Sequence, residues 1–273
     1  MPTPQAPKSK KPLLYGTAVV LAAVLLGFLS YRATAPAEHS GASSAADATA
    51  DPDAGVYPEL AKLARRDPGD ALARGRVDAP VVLIEYADFK CGYCGTYARD
   101  TEPALVKKYV DNGTLRIEWR NFPIFGTESE AVARAAWAAG QQRRFWQFHA
   151  AAYAPGAKEK GFGKARLKAL AQQAGVPDLG RFARDADGAA AAGAVSKDQQ
   201  EAYGIGASST PSFLVNGHPI AGSQPVAVFE SAIDAAADRA AGTKDAKDAD
   251  GTRASGAGRE SGDTGRVTAG AGA

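Results

Sequence analysis

The chain has 273 residues, 45% of them hydrophobic and 23% charged, and a formal net charge of +2. That length permits one large domain or two small ones. The near-neutral balance, with no basic stripe through the interior of the sequence, argues against nucleic acid as a partner.

Lys8, Lys10 and Lys11 precede an uncharged run from Pro12 to Tyr31, which Arg32 closes. Its apolar stretch exceeds the ~7–15 residues of a signal-peptide core and approaches the ~20 needed to span a bilayer. The pattern predicts a basic cytoplasmic N-terminus over residues 1–12 and a retained transmembrane anchor over 13–31. Cleavage is the alternative, because Ala33–Thr34–Ala35 and Ala35–Pro36–Ala37 offer small residues at the right offset, although Pro36 disfavours the first site. In both cases the bulk of the chain is expected outside the cytoplasm, held at the cell membrane or secreted.

Residues 32–55 and 241–273 consist almost entirely of Ala, Gly, Ser, Thr, Pro and charged residues, and read as a disordered linker and tail. The folded part is then 56–240, enough for one domain with a sizeable core. Residues 81–87, VVLIEYA, predict a strand buried on both faces. Tyr97, Leu105, Val106, Tyr109 and Val110 recur at helical spacing, with a kink expected at Pro103. Leu115, Ile117 and Trp119 alternate with Arg116, Glu118 and Arg120, a strand pattern, so the first unit is strand, helix, strand with a right-handed crossover. A helical block follows over about 125–203, then a hairpin about Asn216–Gly217 and a closing amphipathic helix over 225–240. This order predicts an α/β sheet with helices on both faces.

The only two cysteines lie in KCGYC, residues 90–94. Cys91 stands where the buried strand gives way to the helix, among backbone N–H groups that lack helical partners and so favour a thiolate. Cys94, one turn on, faces the same side and can reach it. Cys91 is therefore expected to be the exposed nucleophile and Cys94 the resolving thiol. A disulfide closing so short a loop gains little from unfolded-state entropy, which argues against a purely structural staple. A zinc site needs about four ligands, and His39, His149 and His218 each fall in an unrelated segment. No metal and no cofactor are expected, because dithiol chemistry runs on the two sulfurs themselves.

Glu85 interrupts the apolar strand six residues before Cys91, and a lone carboxylate there is costly unless protonated or paired. A raised pKa is the expected sign of the unpaired case, and pairing with a lysine such as Lys90 is the alternative. Asp88, in the approach loop, and His218, in the hairpin turn, are expected to be solvated.

DAPVVLIEYADFKCGYC at 78–94 and TPSFLVNG at 210–217 together resemble the DsbA-type thiol-disulfide oxidoreductases of the thioredoxin superfamily, in the form bacteria tether to the membrane. The resemblance covers about residues 70–238, and FWQFH at 145–149 matches a helix of the family's insertion, where Trp146 and His149 are expected to be structural. It implies a thioredoxin-like fold with an inserted helical subdomain, preceded by one transmembrane helix. It further implies a cis-Pro211 facing the dithiol, with Thr210 offering backbone groups to an extended substrate, and Glu85 as the base for Cys94. Gly92 and Tyr93 depart from the proline-histidine dipeptide of strong oxidants, so one cationic contribution to the nucleophile is missing. Lys90 is the expected partial substitute, and an exposed Tyr93 the expected apolar platform for substrates or cap of the helix start.

The expected activity is the introduction of disulfides into exported cysteine-containing proteins, by a monomer that a membrane quinone-linked oxidoreductase reoxidises, a partner implied by the resemblance alone. A reductase or isomerase of the same fold is one rival, and a tethered peptide-binding chaperone with a structural disulfide is another.

Overall fold

The computed structural model describes residues 55–257, with side chains through residue 244. The expected N-terminus and anchor at 1–31, the linker up to residue 54 and residues 258–273 lie outside the described residues. Among the described residues no helix is long and apolar enough to cross a membrane.

The elements in chain order are helix α1 (Pro58–Ala61), strands β1 (Ala73–Arg74) and β2 (Val81–Ala87), and helix α2 (Gly92–Thr96). Next come a π-helical turn Tyr97–Thr101, α3 (Glu102–Leu105), a second π-helical turn Val106–Val110, and β3 (Leu115–Asn121). The helical block holds α4 (Thr127–Gly140), α5 (Phe145–Ala152), α6 (Lys164–Gln173), α7 (Leu179–Asp187) and α8 (Ala189–Gly204). Strands β4 (Ser212–Val215) and β5 (His218–Ala221) and helix α9 (Val226–Ala257) close it.

The strands form one mixed sheet in the order β1-β3-β2-β4-β5. Strands β2 and β3 are parallel, from Val81 beside Leu115 to Ala87 beside Asn121, so the chain must cross over between them. The helical stretch 92–110 does so. Every residue of β2 is buried, as an apolar strand with both faces covered requires. One face carries Val81, Leu83, Ile117, Phe213 and Val215 against Tyr97, Leu105, Phe229 and Ile233, and the other carries Val82, Ile84 and Tyr86 against Phe122 and Ala202.

Three features differ from the sequence reading. Pro103 does not simply kink a regular helix: it lies in the first turn of α3, and π-helical turns on either side widen the helix around it. Strand β3 is buried on both faces, including Arg116, Glu118 and Arg120, although alternation alone fits a strand with one wet face. Helix α9 continues past residue 240 to Ala257, into the segment expected to be disordered, which holds no proline to stop it.

The hairpin turn is the two-residue kind with both residues left-handed, Asn216 at φ 45° and Gly217 at φ 88°. A Cβ on Gly217 would stand 2.5 Å from the Tyr57 carbonyl, so the position requires glycine. Asn216 Oδ1 accepts from the Val82 N–H at 2.8 Å and its Nδ2 donates to the Pro80 carbonyl at 3.0 Å, which fastens the turn to the start of β2.

Candidate active site

Strand β2 ends at Ala87, and Asp88 turns the chain so that Cys91 becomes the N-cap of α2 in an extended conformation. The Cys91 N–H donates to the Asp88 carbonyl at 3.0 Å. Cys91 Sγ accepts from the Cys94 N–H at 3.4 Å and, as a thiol, donates to the Thr210 carbonyl at 3.2 Å. Both cysteines are free thiols. The expected exposed nucleophile is instead only 5% exposed and Cys94 is wholly buried, because the Thr210 segment closes over the helix start. Access is through a cavity of about 290 Å³, lined by Cys91, Gly92, Gly95, Arg99, Tyr153 and Lys158 among others.

The two thiols are held far apart in acidity. A hydrogen bond from the Cys94 side chain lowers Cys91 to about 6, and although burial opposes this, the Thr210 side chain and the Cys94 and Tyr93 backbone N–H groups reinforce it. The Thr210 hydroxyl is buried and has no hydrogen-bond partner while Cys91 is a thiol, so its lowering effect is exerted on the ionised sulfur. Burial drives Cys94 well upward, and the neighbouring Cys91 adds to the rise. At neutral pH the arrangement therefore holds one thiolate at the helix start and one protonated thiol behind it.

Glu85 lies on β2 behind this pair, wholly buried, with neither carboxylate oxygen hydrogen-bonded. Burial raises it well above the ordinary carboxylate range, Glu102 raises it further and Arg74 opposes. It is also among the groups acting on Cys94. The alternative pairing with Lys90 is absent, because the Lys90 ammonium reaches Glu128 at 2.6 Å. That bond also corrects the expectation that Lys90 supplies the missing charge beside Cys91: the lowering is built from hydrogen bonds, and Lys90 is directed elsewhere.

Asp88 is buried rather than solvated. Its carboxylate accepts from the backbone N–H groups of Lys90, Ile124 and Phe125 and from the Ser129 hydroxyl at 2.6 Å, so it fixes the approach loop to the start of the helical block. The Thr210–Pro211 bond is cis and enters β4 directly. Tyr93 is 73% exposed, and Gly92 is exposed beside it. A Cβ at Gly92 would stand 3.4 Å from Lys158 Nζ. His149 and Trp146 pack in the aromatic cluster with Phe145 and Trp119, and burial lowers His149 to about 3, which keeps it neutral. His218 Nδ1 lies 3.1 Å from the Gly55 carbonyl, away from the thiols. Among the described residues no cluster of three or more His, Cys, Asp or Glu is placed to hold a metal.

Two residues near Glu85 escape the sequence reading, Glu102 and Arg74. They form an ion pair between α3 and the edge strand β1, buried at Glu102 and part-exposed at Arg74, with the Arg74 guanidinium 3.9 Å from the centre of the Trp146 ring. A signal for Glu102 was present: three, four and seven residues before Leu105, Val106 and Tyr109, it sits on the apolar stripe of its helix. Arg74 carries none, because a two-residue strand has no periodicity.

Comparison with known proteins places the chain among thiol-redox folds. The profile of the family described as Thioredoxin matches residues 68–235. The chain is 31% identical over 150 residues to "Probable disulfide bond formation protein D" of Bacillus cereus, a match covering 53% of this chain and 69% of that protein. It is 32% identical over 169 residues to "Na(+)/H(+) antiporter NhaA 3" of Salinispora tropica, where the match covers 61% of this chain but spans only 25% of the antiporter's length. The crystal structure of oxidised BdbD from Bacillus subtilis shares the fold, with a TM-score of 0.58 at 23% identity over 62% of this chain and 94% of that one.

Proposed function

The chain belongs to the thioredoxin family, and from that premise we propose that it is a DsbA-type protein thiol-disulfide oxidoreductase that works as an oxidase. The observation that carries the proposal is the split between the two thiols, with Cys91 lowered to about 6 and Cys94 driven up. A purely structural disulfide needs no such split. Each unit by which Cys91 falls below ambient pH stabilises the dithiol form by about 1.4 kcal/mol, roughly 30 mV of oxidising power. The lowering thus favours acceptance of electrons.

In this reading a substrate thiolate attacks Cys91 Sγ, the Cys91–Cys94 bond breaks, and Cys94 leaves as a thiolate that takes a proton from Glu85. A second substrate thiolate then attacks the substrate sulfur of the mixed disulfide and Cys91 departs as a thiolate, held by Thr210 and the helix start. The substrate leaves oxidised and the protein reduced. The Thr210–Pro211 segment is proposed to receive an extended peptide by main-chain hydrogen bonds, with Tyr93 as a platform beside it. Exported cysteine-containing proteins are the proposed substrates, a membrane quinone-linked oxidoreductase the proposed reoxidant, and the outer side of the membrane the proposed location. The Lys-flanked apolar run at 13–31 supports the last of these.

Incubation of the oxidised full chain with a reduced, unfolded disulfide protein tests the proposal. Stoichiometric formation of substrate disulfides, lost in Cys91→Ser, is expected. Retained substrate binding with no electron transfer in the parent protein would instead identify a peptide-binding module.

A further inference from the structure

The corner behind Glu85 holds more unpartnered polar groups than a folded interior ordinarily tolerates. Both Glu85 oxygens, the Tyr97 hydroxyl and His149 Nε2 are buried without hydrogen-bond partners. The titratable groups that act on Glu85 or feel it come from several surrounding elements: Arg74 on β1, Cys94 on α2, Tyr97 in the π-helical turn, Glu102 on α3 and Tyr153 just after α5, while the flanking strands β3 and β4 set Trp119 and Phe213 beside it. Glu102 is the other carboxylate of this set, and it reaches a cavity. It is itself 4% exposed, pairs with Arg74, has Oε2 3.9 Å from His149 Nδ1, and lines a second cavity of about 370 Å³ together with Arg74, Lys107, Asp111 and His149. Arg99 and Tyr153 line both this cavity and the one beside Cys91.

We propose that Glu102, paired with Arg74, is the relay through which Glu85 exchanges its proton with solvent in this second cavity. The inference rests on Glu85 serving Cys94 as proposed above. The demand for a relay is sharpest when a mixed disulfide at Cys91 closes. Burial favours the protonated form of Glu85, and that form can take the Cys94 proton only after shedding its own. Glu85 passes its proton to the Glu102 carboxylate, and Glu102 passes it to cavity water. The Cys94 thiol then gives its proton to Glu85, its sulfur attacks Cys91 Sγ, the Cys91–substrate bond breaks, and the substrate sulfur leaves as a thiolate. Only the disulfide electron pair changes hands. Glu102 touches neither sulfur and acts through Glu85. Its own acidity is weakened by burial, against the pull of Arg74, which suits a group that must hold a proton briefly.

The test is the rate at which the reduced full chain, given excess oxidised glutathione, closes its Cys91–glutathione mixed disulfide, followed across pH by release of the second glutathione. Glu102→Gln is expected to lower the high-pH plateau roughly tenfold, with Glu102→Asp restoring most of it and the Cys91 titration unmoved. A purely electrostatic Glu102 predicts the opposite sign, because removing its charge eases ionisation of Glu85. Closure at the parent rate or faster in Glu102→Gln overturns the relay. Arg74→Leu/Glu102→Leu, which exchanges the pair for apolar side chains of a kind often tolerated, carries the same expectation if the single variant misfolds. Glu85→Gln separates the two claims: if it closes at the parent rate, the base assignment fails. If it is slow while the Glu102 variants are not, the relay alone fails.

Discussion

Glu85 and Glu118 stand on adjacent strands of one sheet, both wholly buried, and the molecule treats them in opposite ways. Glu118 lies in register with Ile84 and Glu85 with Trp119, so they face opposite sides. Glu118 accepts from the backbone N–H groups of Arg65 and Arg66 and from the Arg116 and Arg120 guanidiniums, at 2.8 to 2.9 Å. Burial alone would push it up, yet Arg120, the Arg65 N–H and Arg116 hold it at about 2. Glu85 has no hydrogen bond, and burial pushes it up. A carboxylate given every partner is a fixed charge that ties the backbone at Arg65 and Arg66 to β3. A carboxylate given none holds its proton more tightly. On the proposed function, the difference separates the face that holds the fold from the face that serves the dithiol.

The largest expected effect breaks the first face. Arg120→Leu leaves Glu118 and Glu201 short of a cation in the interior, and should cost about 3–5 kcal/mol in urea unfolding of the full chain. Redox closure in the fraction that stays folded should change little. Glu85→Gln is the converse: closure by Cys94 slows about a hundredfold while stability is kept or improved. An equal loss of stability in the two variants would erase the distinction.

Opposite pH slopes sharpen it further. Glu118 is lowered in the folded state, so its stabilisation is complete above its unfolded value near 4.5 and disappears as pH falls through about 2. Glu85 is raised, so the folded state keeps a proton that the unfolded chain has lost, and its contribution declines as pH rises above about 4.5. Unfolding free energies across pH should show the decline in the parent and not in Glu85→Gln. The smallest effect concerns Lys90: because it is bound to Glu128, Lys90→Met should leave the Cys91 midpoint near 6, whereas Thr210→Val should raise it, as read by thiolate absorbance.

What the sequence made legible follows locality. The apolar run of β2, the Asn216–Gly217 turn and the cysteine pair are each specified by a few adjacent residues, and each reads directly. Glu85 stands out because its neighbours in the chain are apolar. Asp88 misreads as solvated because Ile124, Phe125 and Ser129, which satisfy it, lie 36 to 41 residues away. Lys90 misreads for the same reason, since Glu128 is remote in the chain. The burial of Arg116, Glu118 and Arg120 depends on Asp198 and Glu201 of α8 and on Arg65, and strand periodicity carries no trace of partners so distant.

The reduction potential of the Cys91–Cys94 pair in the full chain, equilibrated against glutathione, tests the central claim most directly. The account predicts a value well above about −200 mV, where the pair draws electrons from substrate thiols. A value near about −270 mV would contradict it, and would mark a dithiol that donates electrons.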